Sequence, residues 1–197
     1  LGDRIHEREV IELTHLPTTD HLGVEVSANN PTAGFNRIKA LRAIRPDVPI
    51  AAHLKLGKDV ECAEIPGPKD TECKDLALSM ALGAWIAGAR AFIWEDTGFS
   101  DEADNNWLAI RYASNYLSAS RGFLLCGDLA PFESLTENLM VAGVSIHPQI
   151  QSAVLVNASH EPMPNAAVNL NGCWSTDSIH DIYTGNHSPI DQKTPFV

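Results

Sequence analysis

Short apolar runs and helix-like repeats alternate along the chain between residues 21 and 117. The runs 21–27, 48–55 and 91–94 are short and rich in apolar residues, which is the pattern of β-strands. The segments that follow each run have the spacing or composition of helices. The pattern therefore predicts three strand–helix pairs, an order typical of right-handed βαβ units with a parallel sheet.

The three predicted helices differ in their apolar faces. The first should begin after a Thr32 cap and end at Arg45-Pro46-Asp47, and it repeats apolar residues every three positions: Phe35, Ile38, Leu41 and Ile44. The second, 76–87, is apolar all round and should pack on several sides, with Gly88 just beyond its end. The third carries Trp107, Ile110, Ala113, Tyr116 and Leu117.

Helical periodicity stops after Leu125, and β-type runs take its place at 140–146, 153–157, 166–170 and 179–183. Asn171-Gly172 lies between the last two runs and is a strong signal for a β-hairpin. We therefore predict βα units over residues 1–130 and a small antiparallel β-domain over residues 136–197.

Composition narrows the class of protein. The chain has 197 residues, of which 44% are hydrophobic and 20% charged, enough to bury a core. Its net charge of −11, with no long basic run, disfavours binding to nucleic acid. The longest uncharged stretch, Leu76 to Ala89, is too short to span a membrane.

Three βα units are too few for a closed barrel or a well-covered open sheet. The chain also begins with Leu1 and ends on Thr194-Pro195-Phe196-Val197, an apolar tail. We therefore expect a fragment of a longer protein, in which case the lack of a signal peptide says nothing about localisation.

The four cysteines leave the redox compartment open. No C-x-x-C spacing is present, which argues against zinc-ribbon and thioredoxin-like sites. Cys62 and Cys73 flank the loop segment Ile65-Pro66-Gly67-Pro68. A short disulfide and two reduced thiols both fit this arrangement.

The order of segments resembles the last third of a glycoside hydrolase with a (β/α)8 (TIM) barrel and a trailing β-sandwich. Thr19-Asp20-His21-Leu22-Gly23-Val24-Glu25 is similar to the sixth barrel strand of many such enzymes, and Arg45-Pro46-Asp47-Val48-Pro49-Ile50 to the approach to the seventh. Residues 77–94 resemble their last helix–strand passage, in which an Ala-rich helix precedes a strand ending in Trp. Residues 165–185 resemble their terminal β-domain.

This resemblance implies a secreted or periplasmic enzyme, but one feature departs from it. Hydrolases of the largest retaining clan place a nucleophilic Glu at the end of strand seven, whereas this strand ends His53-Leu54-Lys55. Either the carboxylates of this family lie elsewhere, or they lie in sequence beyond this chain.

Barrel enzymes build their sites at the carboxyl ends of strands, which makes Glu25 and Glu95 the candidate catalytic residues. Glycoside hydrolysis needs two carboxyl groups flanking the scissile bond. Glu25 and Glu95 lie at the ends of two strands that are separated by one intervening strand, so they are placed to face each other across a barrel mouth. Glu95 follows the apolar run Phe92-Ile93-Trp94, whose desolvating effect would suit it to proton donation. A solvent-exposed or supporting role remains the alternative for both.

Five further residues are candidates for substrate binding: His53, Lys55, Trp94, Asn29 and Asp96. His53 and Lys55 alternate along one strand and so share a face. They are suited to binding sugar hydroxyls or tuning a carboxylate, and a structural His with a solvated Lys is equally compatible. Trp94 is suited to stacking under a sugar ring, although packing is the commoner role of a Trp at a strand end.

These residues lead to the hypothesis of a glycoside hydrolase acting on an oligo- or polysaccharide. We expect no metal and no cofactor, because the eight His are scattered and nucleotide-binding and nucleophile-elbow motifs are absent. The alternative is a non-catalytic carbohydrate-binding or scaffold protein on the same fold, since a fold does not establish chemistry.

Overall fold

The computed structural model describes residues 21–56, 69–95, 105–126, 128–130, 133–134, 137–147, 150–157, 168–169, 178–180 and 187–189. The chain divides into two compact units, Leu1–Leu124 and Leu125–Val197. The first part of the chain contains β1 (Leu22–Ser27), α1 (Pro31–Ile44), β2 (Ile50–Lys55), α2 (Lys69–Ala87), β3 (Ala91–Trp94), α3 (Asn105–Ala119) and α4 (Arg121–Cys126).

The three strands of the first unit form one parallel sheet in the order β1-β2-β3. The register places Glu25 opposite His53 and His53 opposite Ile93. The predicted parallel order is therefore confirmed. Each strand has the length that the apolar runs indicated, to within two residues at its start.

One face of this sheet forms the core with α1 and α2. Alternate residues of β1 and β2 are buried on it: Leu22, Val24, Val26, Ile50, Ala52 and Leu54. From α1, Phe35, Ile38 and Leu41 are buried as the three-residue repeat predicts, while Ile44 is exposed. The opposite face carries most of the polar strand residues, which are exposed or half-buried.

Two glycines allow the helices to approach closely. A Cβ atom at Gly34 of α1 would lie 2.9 Å from both the carbonyl oxygen of Glu25 and the Cα of Val26. A Cβ atom at Gly83 of α2 would clash with the ring of Phe35. The contacts of α1 with β1 and with α2 therefore both depend on a missing side chain.

We expect Gly83→Ala to lower the free energy of unfolding by up to about 2 kcal/mol in urea denaturation. Overpacking a core costs about 1–3 kcal/mol, and the gain of Ala over Gly in a helix offsets roughly 1 kcal/mol of this. Gly122→Ala in α4 is the matched control, because nothing lies within 4 Å of its added Cβ. Equal stability of the two variants would contradict the close contact at Phe35.

The helix ends show one wrong prediction and one confirmed one. Asn30, rather than Thr32, caps α1, since its side-chain oxygen accepts a hydrogen bond from the Ala33 amide at 3.2 Å. Pro31 then occupies the first turn, where its missing N–H costs nothing. Gly88 ends α2 with a φ of 119°, and its amide donates to the Ala84 carbonyl at 3.1 Å.

Just beyond α1, Arg45 donates two hydrogen bonds to the Asp47 carboxylate, at 3.1 and 3.0 Å. These bonds, together with one from the backbone amide of Asp47, hold the pKa of Asp47 below its usual value. The pair lies at the surface, where such interactions contribute little to stability.

We expect Arg45→Ala to raise the pKa of Asp47, measured by NMR titration of its carboxyl carbon. Because the pKa is depressed in the folded state, the pair's small contribution to stability is present above the unfolded-state pKa. It is lost as the pH falls through the folded-state value. An unchanged titration in Arg45→Ala would contradict this pairing.

The second unit is built from antiparallel strand pairs. β6 (Leu139–His147) lies between β4 (Asp128–Ala130) and β7 (Ile150–Asn157). β5 (Glu133–Ser134) pairs with β8 (Val168–Asn169), and β9 (Ser178–His180) pairs with β10 (His187–Pro189). The predicted hairpin turn at Asn171-Gly172 lies outside the described residues.

Candidate functional site

The carboxyl ends of β1, β2 and β3 lie at the same edge of the parallel sheet. Backbone hydrogen bonds continue past the strands there: the Ala28 amide donates to the Lys55 carbonyl at 2.9 Å, and the Glu95 amide donates to the Leu54 carbonyl at 3.0 Å. These bonds fix the backbone at the position where barrel and open-sheet enzymes place their functional residues.

Polar side chains occupy the sheet face opposite α1 and α2. Glu25 and His53 are direct register partners on neighbouring strands, and Ser27 and Lys55 form the next pair toward the carboxyl edge. Continuing the register from Leu54 and Trp94 puts Glu95 next to Lys55. We refer to Glu25, His53, Lys55 and Glu95 as the polar face.

Within the polar face, the His53 side chain contacts that of Glu95. The Nδ1 atom of His53 lies 3.4 Å from the Oε1 atom of Glu95. The two side chains are 34% and 37% exposed, respectively, so both are open to a ligand. When the imidazole is protonated this contact is an ion pair. When it is neutral, an Nδ1–H can point at the carboxylate and orient it.

The other end of the His53 ring lies over β1. A Cβ atom built on Gly23 would be 2.9 Å from the His53 Nε2 atom. Gly23 therefore leaves the space in which the imidazole lies. Sequence reasoning did not single out Gly23, although a glycine two residues before Glu25 on the same strand face was a usable signal.

The structure separates the remaining candidates. Asn29 lies in the exposed turn after β1. Trp94 is the register partner of the buried Leu54, so it lies on the helix-covered face rather than beside the Glu95 carboxyl. Neighbouring residues of a strand point to opposite faces, so the sequence alone indicated that Trp94 and Glu95 lie on opposite faces of the sheet. Asp96 lies outside the described residues.

A metal centre has no support in the part of the chain that the structure describes, since no group of three His, Cys, Asp or Glu side chains there is placed to hold an ion. Among the same residues, no helix combines the length and the apolar character needed to cross a membrane. Cys73, in α2, is disulfide-bonded. Cys62, the partner that the sequence suggests, lies outside the described residues.

Comparison of the chain with protein-family models, with curated proteins and with solved structures finds no match. The polar face is therefore the feature from which a function is proposed.

Proposed function

We propose that this chain is the C-terminal part of a (β/α)8-barrel glycoside hydrolase with a trailing antiparallel β-domain, and that it acts on an oligo- or polysaccharide. The observation that carries the proposal is the Glu95–His53 contact on the polar face, at the carboxyl ends of three parallel strands. Glu95 and Glu25 are the proposed catalytic carboxyl groups.

The distribution of burial supports a barrel segment. In a (β/α)8 barrel the helices cover the outer face of the strands, and the inner face carries the active site at the carboxyl ends. Here α1 and α2 pack on one face, and the other bears Glu25, His53 and Lys55. Further strands beyond this chain would turn the polar face into the interior of a barrel mouth.

The placement of the two carboxyl groups supports glycoside hydrolysis. Glu25 and Glu95 lie on the same face of strands two spacings apart, or about 10 Å between the strand backbones. The carboxyl groups of glycoside hydrolases are separated by about 5–10 Å, a distance that two Glu side chains reaching over β2 can provide. One group protonates the leaving oxygen, and the other attacks the sugar or activates water.

The other polar residues fit a role in holding the sugar. Lys55 supplies N–H donors on the polar face, His53 is a further polar group on that face, and Asn29 supplies amide groups from the turn after β1. Asp96 is proposed as a substrate-binding residue only because it follows Glu95 in the sequence. Trp94 enters the proposal as a packing residue, because its register position is on the helix-covered face.

The disulfide at Cys73 supports a secreted or periplasmic location. Structural disulfides form and persist in oxidising compartments and are rare in the cytosol. Enzymes that degrade polysaccharides too large to enter a cell must act in such compartments.

The test is the release of reducing sugars from a panel of oligo- and polysaccharides. The protein assayed is the product of the whole gene that encodes this chain. Hydrolysis that is lost when both Glu25 and Glu95 are replaced by Gln is the expected result. Binding of the same carbohydrates without cleavage would establish the non-catalytic alternative, and neither binding nor cleavage would refute both.

A further inference from the structure

The imidazole of His53 spans the polar face diagonally. Its Nδ1 atom approaches Glu95 on the β3 side, 3.4 Å from Oε1, while its Nε2 atom lies over Gly23 on the β1 side. Gly23 is two residues before the register partner of His53, and Glu95 is two residues after the other one. The ring therefore leans toward the amino ends of the strands at Gly23 and meets Glu95 at the carboxyl ends.

We propose that His53 is a positioning residue for Glu95, and that the absence of a side chain at Gly23 leaves the space that the His53 imidazole occupies. The inference rests on the proposed function, because it assigns a role within that same site. The His53 Nδ1 atom lies 3.4 Å from Oε1, and its N–H is proposed to donate to that oxygen, which leaves Oε2 to meet the substrate. Gly23 lies next to one end of the imidazole ring and Glu95 next to the other. Because this limits movement of the ring, the distance between Nδ1 and Oε1 should change little.

Position 23 must be glycine for a steric reason. A Cβ atom 2.9 Å from Nε2 is closer than real Cβ contacts allow, so Gly23→Ala must displace the imidazole. The displaced atom belongs to a side chain, and the sheet itself can accept alanine at this exposed position. We therefore expect Gly23→Ala to fold and to change the environment of the His53 ring.

The first test observes the His53 tautomer in the chain itself, by long-range ¹H–¹⁵N NMR of histidine-labelled protein at alkaline pH, where imidazole is neutral. The expected result is an Nδ1–H tautomer in the wild type that is lost in Glu95→Ala and perturbed in Gly23→Ala. Gly122→Ala is the control and leaves the His53 signals unchanged. An Nε2–H tautomer in the wild type, or an unchanged spectrum in Glu95→Ala, overturns the proposal.

The second test uses the hydrolase assay on the whole gene product. His53→Leu removes the donor and should lower kcat by about a hundredfold with little change in KM, the scale expected when a reacting group is misplaced by about 1 Å. His53→Asn places an N–H near the Nδ1 position and should recover a large part of this loss. Equal activity of the two variants overturns the positioning role.

The two tests separate failure of this inference from failure of the proposed function. Hydrolysis together with an Nε2–H tautomer leaves the hydrolase intact and removes the positioning role. The expected tautomer in a protein that cleaves no carbohydrate establishes the Gly23–His53–Glu95 arrangement and refutes the assigned reaction, and with it the catalytic part of the inference.

Discussion

Glu95→Gln is expected to lower kcat by roughly a hundredfold or more in the whole gene product, the scale typical of losing a general acid or base. Glutamine keeps the shape of the side chain and can still accept a hydrogen bond from His53. It cannot attack the sugar or take up a proton. KM should change little, because the substrate-facing surface is preserved. Steady-state kinetics on the cleaved carbohydrate measure both constants.

Asp47→Asn is the matched control for this variant. Asp47 is an exposed carboxylate paired with Arg45, and it precedes β2 at the opposite edge of the sheet. It should leave both constants unchanged, and Asp96→Asn should cost much less than Glu95→Gln. A rise in KM at constant kcat would make Glu95 a ligand for a substrate hydroxyl. Near-normal values of both would remove Glu95 from the site.

Trp85→Ala is expected to have the largest effect on stability, lowering the free energy of unfolding by about 3–5 kcal/mol. The side chain is only 3% exposed in α2. Its Nε1–H donates to the Leu124 carbonyl in α4 at 2.9 Å, and the Arg90 guanidinium lies over the ring, 5.9 Å from its centroid. Truncation leaves a cavity and removes both interactions. Urea denaturation monitored by circular dichroism measures the loss.

Trp85→Phe separates the hydrogen bond from the packing. It keeps most of the apolar ring and leaves the Leu124 carbonyl without its donor, which costs about 1–3 kcal/mol. Leu108→Ala in α3 is the control, because Leu108 is 41% exposed, and surface substitutions change stability by about 0.5 kcal/mol or less. A Trp85→Phe variant as stable as Leu108→Ala would show that the bond to Leu124 contributes nothing.

Local sequence patterns predicted the elements of the first unit. The period of apolar residues in 35–44 and the short runs at β1, β2 and β3 report preferences that act within a few residues, and these agree with the fold. The order of parallel strands followed from the same patterns, since short connections through a helix favour neighbouring parallel strands. The sequence also allowed Glu95 and His53 to be proposed as site residues, because barrel enzymes build their sites at the carboxyl ends of strands.

Contacts between distant residues were decided only by the tertiary structure. Gly23 and Glu95 are far apart in the chain, and only the register of three strands brings both to the ring of His53. The pairing of β8 with β5 and of β9 with β10 likewise joins strands that local patterns do not match to each other. By itself, the sequence determined that strands and helices alternate over residues 21–119, because those preferences are local. The pairing of Glu95 with a histidine rather than an indole came from packing, because register and ring orientation are properties of the assembled sheet.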